Sequence, residues 1–162
     1  MEVIAMGLES NQTLISIDLS HNILGITGAY YVTRILAKNK TLKYLDLSAN
    51  AMTDKGIEKL TTSLYDCPSL ISLALRSNSI KALGAKCLTK ALAAGTNIAN
   101  LDLKYNTIGN EGALAFSELL KTNKSLVKLD LAGNEIGGEC HEFPLPLPAD
   151  DQPGEGNARH GL

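Results

Sequence analysis

The chain has 162 residues, with 15 lysines and arginines against 17 aspartates and glutamates, a net charge of −2, three cysteines and no tryptophan. That balance excludes the basic footprint of a nucleic-acid-binding domain, and an odd cysteine count without a framework excludes a disulfide-stapled scaffold. No apolar run reaches the roughly 18 residues of a membrane span, and the opening MEVIAMGLES lacks the basic start and long apolar stretch of a secretory signal. The expectation is one domain in a reducing, cytoplasmic or nucleocytoplasmic compartment.

In chain order, residues 1–13 read as a helix and a return turn, because Leu8 aligns with Leu120 at a whole number of repeats. Five segments of pattern L-x-x-L-x-L-x-x-N follow: LISIDLSHN (14–22), LKYLDLSAN (42–50), LISLALRSN (70–78), IANLDLKYN (98–106) and LVKLDLAGN (126–134). The apolar residues two apart predict short strands with Ile17/Leu19, Leu45/Leu47, Leu73/Leu75, Leu101/Leu103 and Leu129/Leu131 facing inward. An apolar anchor stands two residues past each Asn (Leu24, Met52, Ile80, Ile108, Ile136), and a glycine recurs at Gly28, Gly56, Gly84 and Gly112. Helical segments follow, with Asp54 and Asn110 expected as N-caps and the glycines expected to let each helix approach the strand layer. Asn11, Asn39, Cys67, Gly95 and Asn123 share one position in the return turn; three of them open Asn-x-Ser/Thr triplets, which the repeat itself explains without glycosylation.

The organisation is therefore a partial N-terminal repeat (1–13), repeats of 28 residues starting at 14, 42, 70, 98 and 126 and ending at 139, and an acidic, proline-rich tail (140–162) expected to be disordered. Each strand follows a helix, so neighbouring strands run parallel. Strands pack about 4.8 Å apart and helices roughly 8–10 Å apart, so the stack must bend. The fold expected is an α/β solenoid with parallel strands on the concave face and helices on the convex face. Asn22, Asn50, Asn78, Asn106 and Asn134 recur at one place in the turn, where an amide can serve its own turn and the next repeat. They are read as a structural ladder.

The pattern L-x-x-L-D-L-S-x-N, followed by a helix and N-x-[ST]-L at 28 residues, resembles the leucine-rich repeat superfamily, in particular its ribonuclease-inhibitor-like class. That class includes the repeat arms of NOD-like receptors and the Ran GTPase-activating protein. The resemblance covers residues 6 to about 139 and implies a protein-binding solenoid, with a small-GTPase regulator or the structural arm of a larger sensor as alternatives.

Outward positions on the strands form columns: Ser16, Tyr44, Ser72, Asn100, Lys128; Asp18, Asp46, Ala74, Asp102, Asp130; and Ser20, Ser48, Arg76, Lys104, Ala132, flanked by His21 and Tyr105. Arg76 and Lys104 are placed to reach diagonal aspartates. Two readings stay open: a solvated face that simply comes with the repeat, or a charged and aromatic patch for another protein. No P-loop, G-x-S-x-G or H-E-x-x-H occurs, so no catalytic residue, cofactor, metal, nucleic acid or membrane is expected. Neither end carries a polar cap, so the chain is expected to be part of a longer array, with end-to-end self-association through the open ends. The alternative is that Phe143, Leu145 and Leu147 fold back as a cover.

Overall fold

The computed structural model describes residues 1–137, so the tail expected from residue 140 lies outside it. Five helices alternate with five strands: α1 (Glu2–Ser10), β1 (Ser16–Asp18), α2 (Gly25–Lys38), β2 (Tyr44–Asp46), α3 (Thr53–Thr61), β3 (Ser72–Ala74), α4 (Ala82–Ala93), β4 (Asn100–Asp102), α5 (Gly109–Thr122) and β5 (Lys128–Asp130). The strands form one parallel sheet in sequence order. Its register keeps the 28-residue spacing, pairing Ile17 with Leu45, Leu45 with Leu73, Leu73 with Leu101 and Leu101 with Leu129.

Equivalent leucines thereby meet in one interior. Leu45, Leu47, Leu73, Leu75, Leu101 and Leu103 are buried, each removal from water contributing about 1.5–3 kcal/mol. Ile17, Leu129 and Leu131, in the outermost repeats, are only partly covered.

The turn leaving each strand explains the asparagines. The residue before the Asn lies in the left-handed region at His21, Ala49, Ser77 and Tyr105, with φ between 53° and 59°, and at Gly133. That conformation turns the backbone N–H toward the next repeat, where His21, Ala49, Ser77 and Tyr105 donate to the carbonyls of Ser48, Arg76, Lys104 and Ala132. The following Asn side chain then closes the turn. Asn78 Oδ1 accepts from the backbone N–H of Asn50 and Met52, while its Nδ2 donates to the carbonyls of Leu47 and Arg76. Asn106 repeats the arrangement on Asn78, Ile80 and Leu75. The bridge therefore runs back to the preceding repeat, not on to the next one as expected, because the turn N–H groups in need of an acceptor, those of Asn50 and Met52 beside Asn78, lie on that side. Asn22 has no preceding strand among the described residues, and its side chain donates to the carbonyls of Leu19 and Ser20 in its own turn.

The helix starts differ from expectation in two ways. Asp54 and Asn110 lie inside the first turns of α3 and α5 and do not cap them; the N-cap positions are Met52 and Ile108. Asp54 instead caps the next helix: its Oδ1 accepts from the N–H of Lys81 (2.7 Å) and Gly84 (3.0 Å), the N-cap position and the third residue of α4. Asn110 accepts from the N–H of Gly137 in the same manner, one repeat on. The glycines serve helix-to-helix approach instead of the approach to the strand layer expected, because what crowds them are the residue at the head of their own helix and the neighbouring helix. A Cβ on Gly112 would lie 3.0 Å from that of Ala85 in α4, and one on Gly84 would meet Asp54 Oδ1 at 2.6 Å.

Local sequence also shapes α3, which stops at Thr61 and gives way to a single 3-10 turn over Leu64–Asp66. The hydroxyls of Thr61, Thr62 and Ser63 each bond a carbonyl three residues back, competing with the helical ladder. In the return turns, Asn39 is fully buried and its Nδ2 donates to the carbonyls of Leu8 and Asn11, leaving no amide for a glycan. Cys67, at the equivalent position, is buried against the Asn39 carbonyl, whereas Cys87 is half-buried. At the first interface, Glu9 pairs with Arg34 and Lys38 (both 2.7 Å) to tie α1 to α2.

Two stability changes follow. Asn78→Ala strands the buried N–H groups of Asn50 and Met52 at about 1–3 kcal/mol each, while the Leu47 carbonyl keeps its second donor, Asn50 Nδ2; a loss of at least ~2 kcal/mol is expected in denaturant unfolding, against about 1 kcal/mol for Asn22→Ala. Thr53 has φ 55° where the equivalent Gly25 and Gly109 have 55° and 62°. Thr53→Gly removes left-handed strain on a β-branched residue and is expected to stabilise by about 1 kcal/mol; an unchanged or lower unfolding midpoint contradicts the strain.

Candidate functional site

The strand layer presents three residue columns away from the core, because successive side chains alternate between faces. Ser16, Asp18, Tyr44, Arg76, Tyr105 and Lys128 are exposed; Asp46, Asn100, Asp102, Lys104 and Asp130 are half-buried on the same face. Asn22 closes the first turn at the surface, and Asn50, Asn78, Asn106 and Asn134 lie buried at the margin of the face.

Register sets Asp18 beside Asp46 and Asp102 beside Asp130. Like charges at that spacing oppose one another, and the structure offsets this locally. Each carboxylate turns one oxygen onto the backbone N–H two residues on: Asp18 to Ser20, Asp46 to Ser48, Asp102 to Lys104 and Asp130 to Ala132, at 2.8 to 3.2 Å. The L-D-L aspartates thus end their own strands. Hydrogen bonds from the Ser20 hydroxyl and N–H hold the Asp18 carboxyl below the usual carboxylate range.

The cations diverge from expectation. Lys104 reaches its diagonal partner, with Nζ 2.8 Å from Asp130 Oδ2. That bond pulls the Asp130 pKa down and pushes the Lys104 pKa up. Arg76 lies over Tyr105 instead, with its guanidinium 5.3 Å from the ring centre, a cation–π arrangement. The pair fixes an exposed aromatic and a charge that forms no ion pair among the described residues.

Between these groups lies a shallow depression of about 310 Å³, bounded by His21, Asp46, Ser48, Ala74, Arg76, Asp102 and Tyr105. Ser48, expected as an outward column residue, is buried on its wall. Ala74 interrupts the aspartate column, and its small side chain makes the hollow. The signal was present in the sequence as the single non-aspartate of that column, but a missing side chain does not announce a cavity. Among the described residues no cluster of His, Cys, Asp and Glu is built to hold a metal ion, and no helix is long and apolar enough to cross a membrane.

The Lys104–Asp130 pair sets a pH dependence. The depressed Asp130 contributes stability above its unfolded pKa, lost as pH falls through its lower folded value; the raised Lys104 contributes below its unfolded pKa, lost as pH rises through its higher folded value. The bond therefore spans neutral pH. In Lys104→Met the Asp130 carboxyl is expected to titrate closer to the ordinary aspartate range by carbon-detected NMR; an unmoved titration shows the bond to be absent in solution.

The family model described as Leucine Rich repeat matches residues 10–32, 38–60, 66–88, 96–117 and 122–139, more than half of the chain. Among solved structures, actin-binding site 2 of leiomodin-1 superimposes with a TM-score of 0.72 at 19% identity, covering 78% of this chain and 76% of that one. The tropomodulin C-terminal domain of Caenorhabditis elegans superimposes with a TM-score of 0.61 at 17% identity, covering 81% of each chain. At such identities the likeness concerns the fold. No curated protein matches the sequence. The matched repeats, the in-register parallel sheet and the helical outer wall together place the chain in the leucine-rich repeat family, in its ribonuclease-inhibitor-like form.

Proposed function

We propose that this domain is a non-catalytic protein-binding module whose strand face, centred on Arg76 and Tyr105, receives the partner. One observation supports this above the others. Tyr105 is 58% exposed yet held in place by the guanidinium stacked on it, and exposed tyrosine and arginine are the residues that anchor protein interfaces. Tyr44, also exposed, extends the surface across β2. Asp46, Asp102 and the Lys104–Asp130 pair supply the polar surround.

Size bounds the interaction. Five strands at about 4.8 Å span roughly 19 Å, and the face offers about half of the ~800 Å² that each partner of a standard complex buries. The turn residues His21 and Tyr105 and the adjoining rim therefore belong to the contact. The solved leiomodin-1 structure is of an actin-binding site, which makes actin the first partner to assay.

The test is affinity capture from cell extract with quantitative identification, beside direct actin co-sedimentation. Arg76→Glu and Tyr105→Ala are expected to reduce recovery of the specific partner about tenfold or more, as truncation of an interface anchor does, with unfolding midpoints unchanged. Recovery equal to the unaltered chain in both variants removes the strand face as the binding surface.

A further inference from the structure

Ala74 stands in the middle of a carboxylate column. Register sets it directly between Asp46 on β2 and Asp102 on β4. At about 4.8 Å per strand, the backbones of those two residues lie roughly 10 Å apart on either side of the gap. Three separate hollows on the strand face all include Ala74. Each flanking carboxylate uses one oxygen on backbone, at the N–H of Ser48 and Lys104, and neither forms an ion pair among the described residues.

Neither neighbouring cation forms an ion pair with them. Arg76 is turned onto Tyr105 and Lys104 onto Asp130. A second observation comes from Ser48, which lines the same hollow. It is only 7% exposed, and its Oγ has no hydrogen-bond partner. A buried hydroxyl without a partner is an acceptor and donor awaiting one.

We infer that the Ala74 notch is a subsite for a guanidinium group, an arginine side chain from an extended segment of the partner protein. The guanidinium is planar and carries five N–H donors, so it can bond two carboxylates on opposite edges and keep a donor for a hydroxyl. A lysine ammonium is a compact point charge without the planar fork that faces two acceptors on different edges. The recess partly excludes water, which strengthens the pairing relative to an open surface. This subsite rests on the strand face being the protein-binding surface and names the chemistry that face selects.

The test uses the full 162-residue chain, labelled with nitrogen-15 and titrated with the peptide Ac-Gly-Arg-Gly-NH2 and its lysine and citrulline counterparts. The arginine peptide is expected to shift the amides of Ser48, Ala74 and Asp102 in a saturable manner. The lysine peptide is expected to bind at least about threefold more weakly, and the citrulline peptide, which has the shape without the charge, to leave the spectrum unmoved. Asp46→Asn and Asp102→Asn keep an oxygen for the backbone N–H and remove only the charge; each is expected to weaken arginine-peptide binding by at least about threefold. Ala74→Leu fills the notch from the solvent side and is expected to abolish the shifts. Equal responses to the arginine and lysine peptides, or a response that survives the double Asp46→Asn, Asp102→Asn change, overturns the subsite. Loss of the partner in Arg76→Glu with no peptide response in the unaltered chain sinks the subsite alone. A specific peptide response with partner recovery unchanged in Arg76→Glu and Tyr105→Ala upholds the subsite and removes the wider reading.

Discussion

The asparagine amides hold this structure together, because those of Asn50, Asn78, Asn106 and Asn134 each satisfy buried backbone groups in two repeats at once. A strand of three residues makes few ladder bonds, and the turn that follows it leaves N–H and C=O groups inside the protein, where an unpaired group is expensive. One amide supplies an acceptor and two donors within a single side chain. Asn78 and Asn106 use all of these on neighbouring turns. Aspartate lacks the donors, and glutamine adds a methylene that misplaces them. The 28-residue period is the distance along the chain that returns an amide to the same place beside the previous one.

That bridge also tolerates backbone strain. His21, Ala49, Ser77 and Tyr105 sit in a left-handed conformation that non-glycine residues avoid. They hold it because the N–H so directed bonds the next repeat and the amide behind it locks the turn. On the opposite wall, Gly84 and Gly112 and the buried Ala29 and Ala85 let helices approach closely. Strand spacing nevertheless stays shorter than helix spacing, so the stack curves and the strand face lies on the inner side, open to a partner.

The character of that face follows from duties its residues already perform inside the fold. The aspartates terminate their strands, which orients one oxygen inward along the backbone and leaves the other outward. Lys104 and Arg76 both lean toward the C-terminal repeats, onto Asp130 and Tyr105. Asp46 and Asp102 consequently form no ion pair around Ala74 among the described residues, and the Ser48 hydroxyl beside them is left without a partner. Unequal pairing along an otherwise repetitive surface distinguishes one spot on it from the rest.

Much of this was legible in the chain. The leucine spacing determines which side chains enter the core, and the asparagine period determines parallel strands in sequence order, because both are set by local periodicity repeated without insertion. Which of several partners a polar side chain takes is another matter. Asp54 reads as the cap of its own helix and caps the next; Arg76 has aspartates within reach and takes Tyr105; Ser48 reads as an outward serine and is buried. Those choices are made between residues 25 to 31 positions apart, whose distances and angles exist only once the repeats have stacked. Periodicity is a property of one repeat, so the sequence alone determines it, whereas hydrogen-bond partners, burial and the notch at Ala74 belong to the contact between repeats, which only the tertiary structure decides.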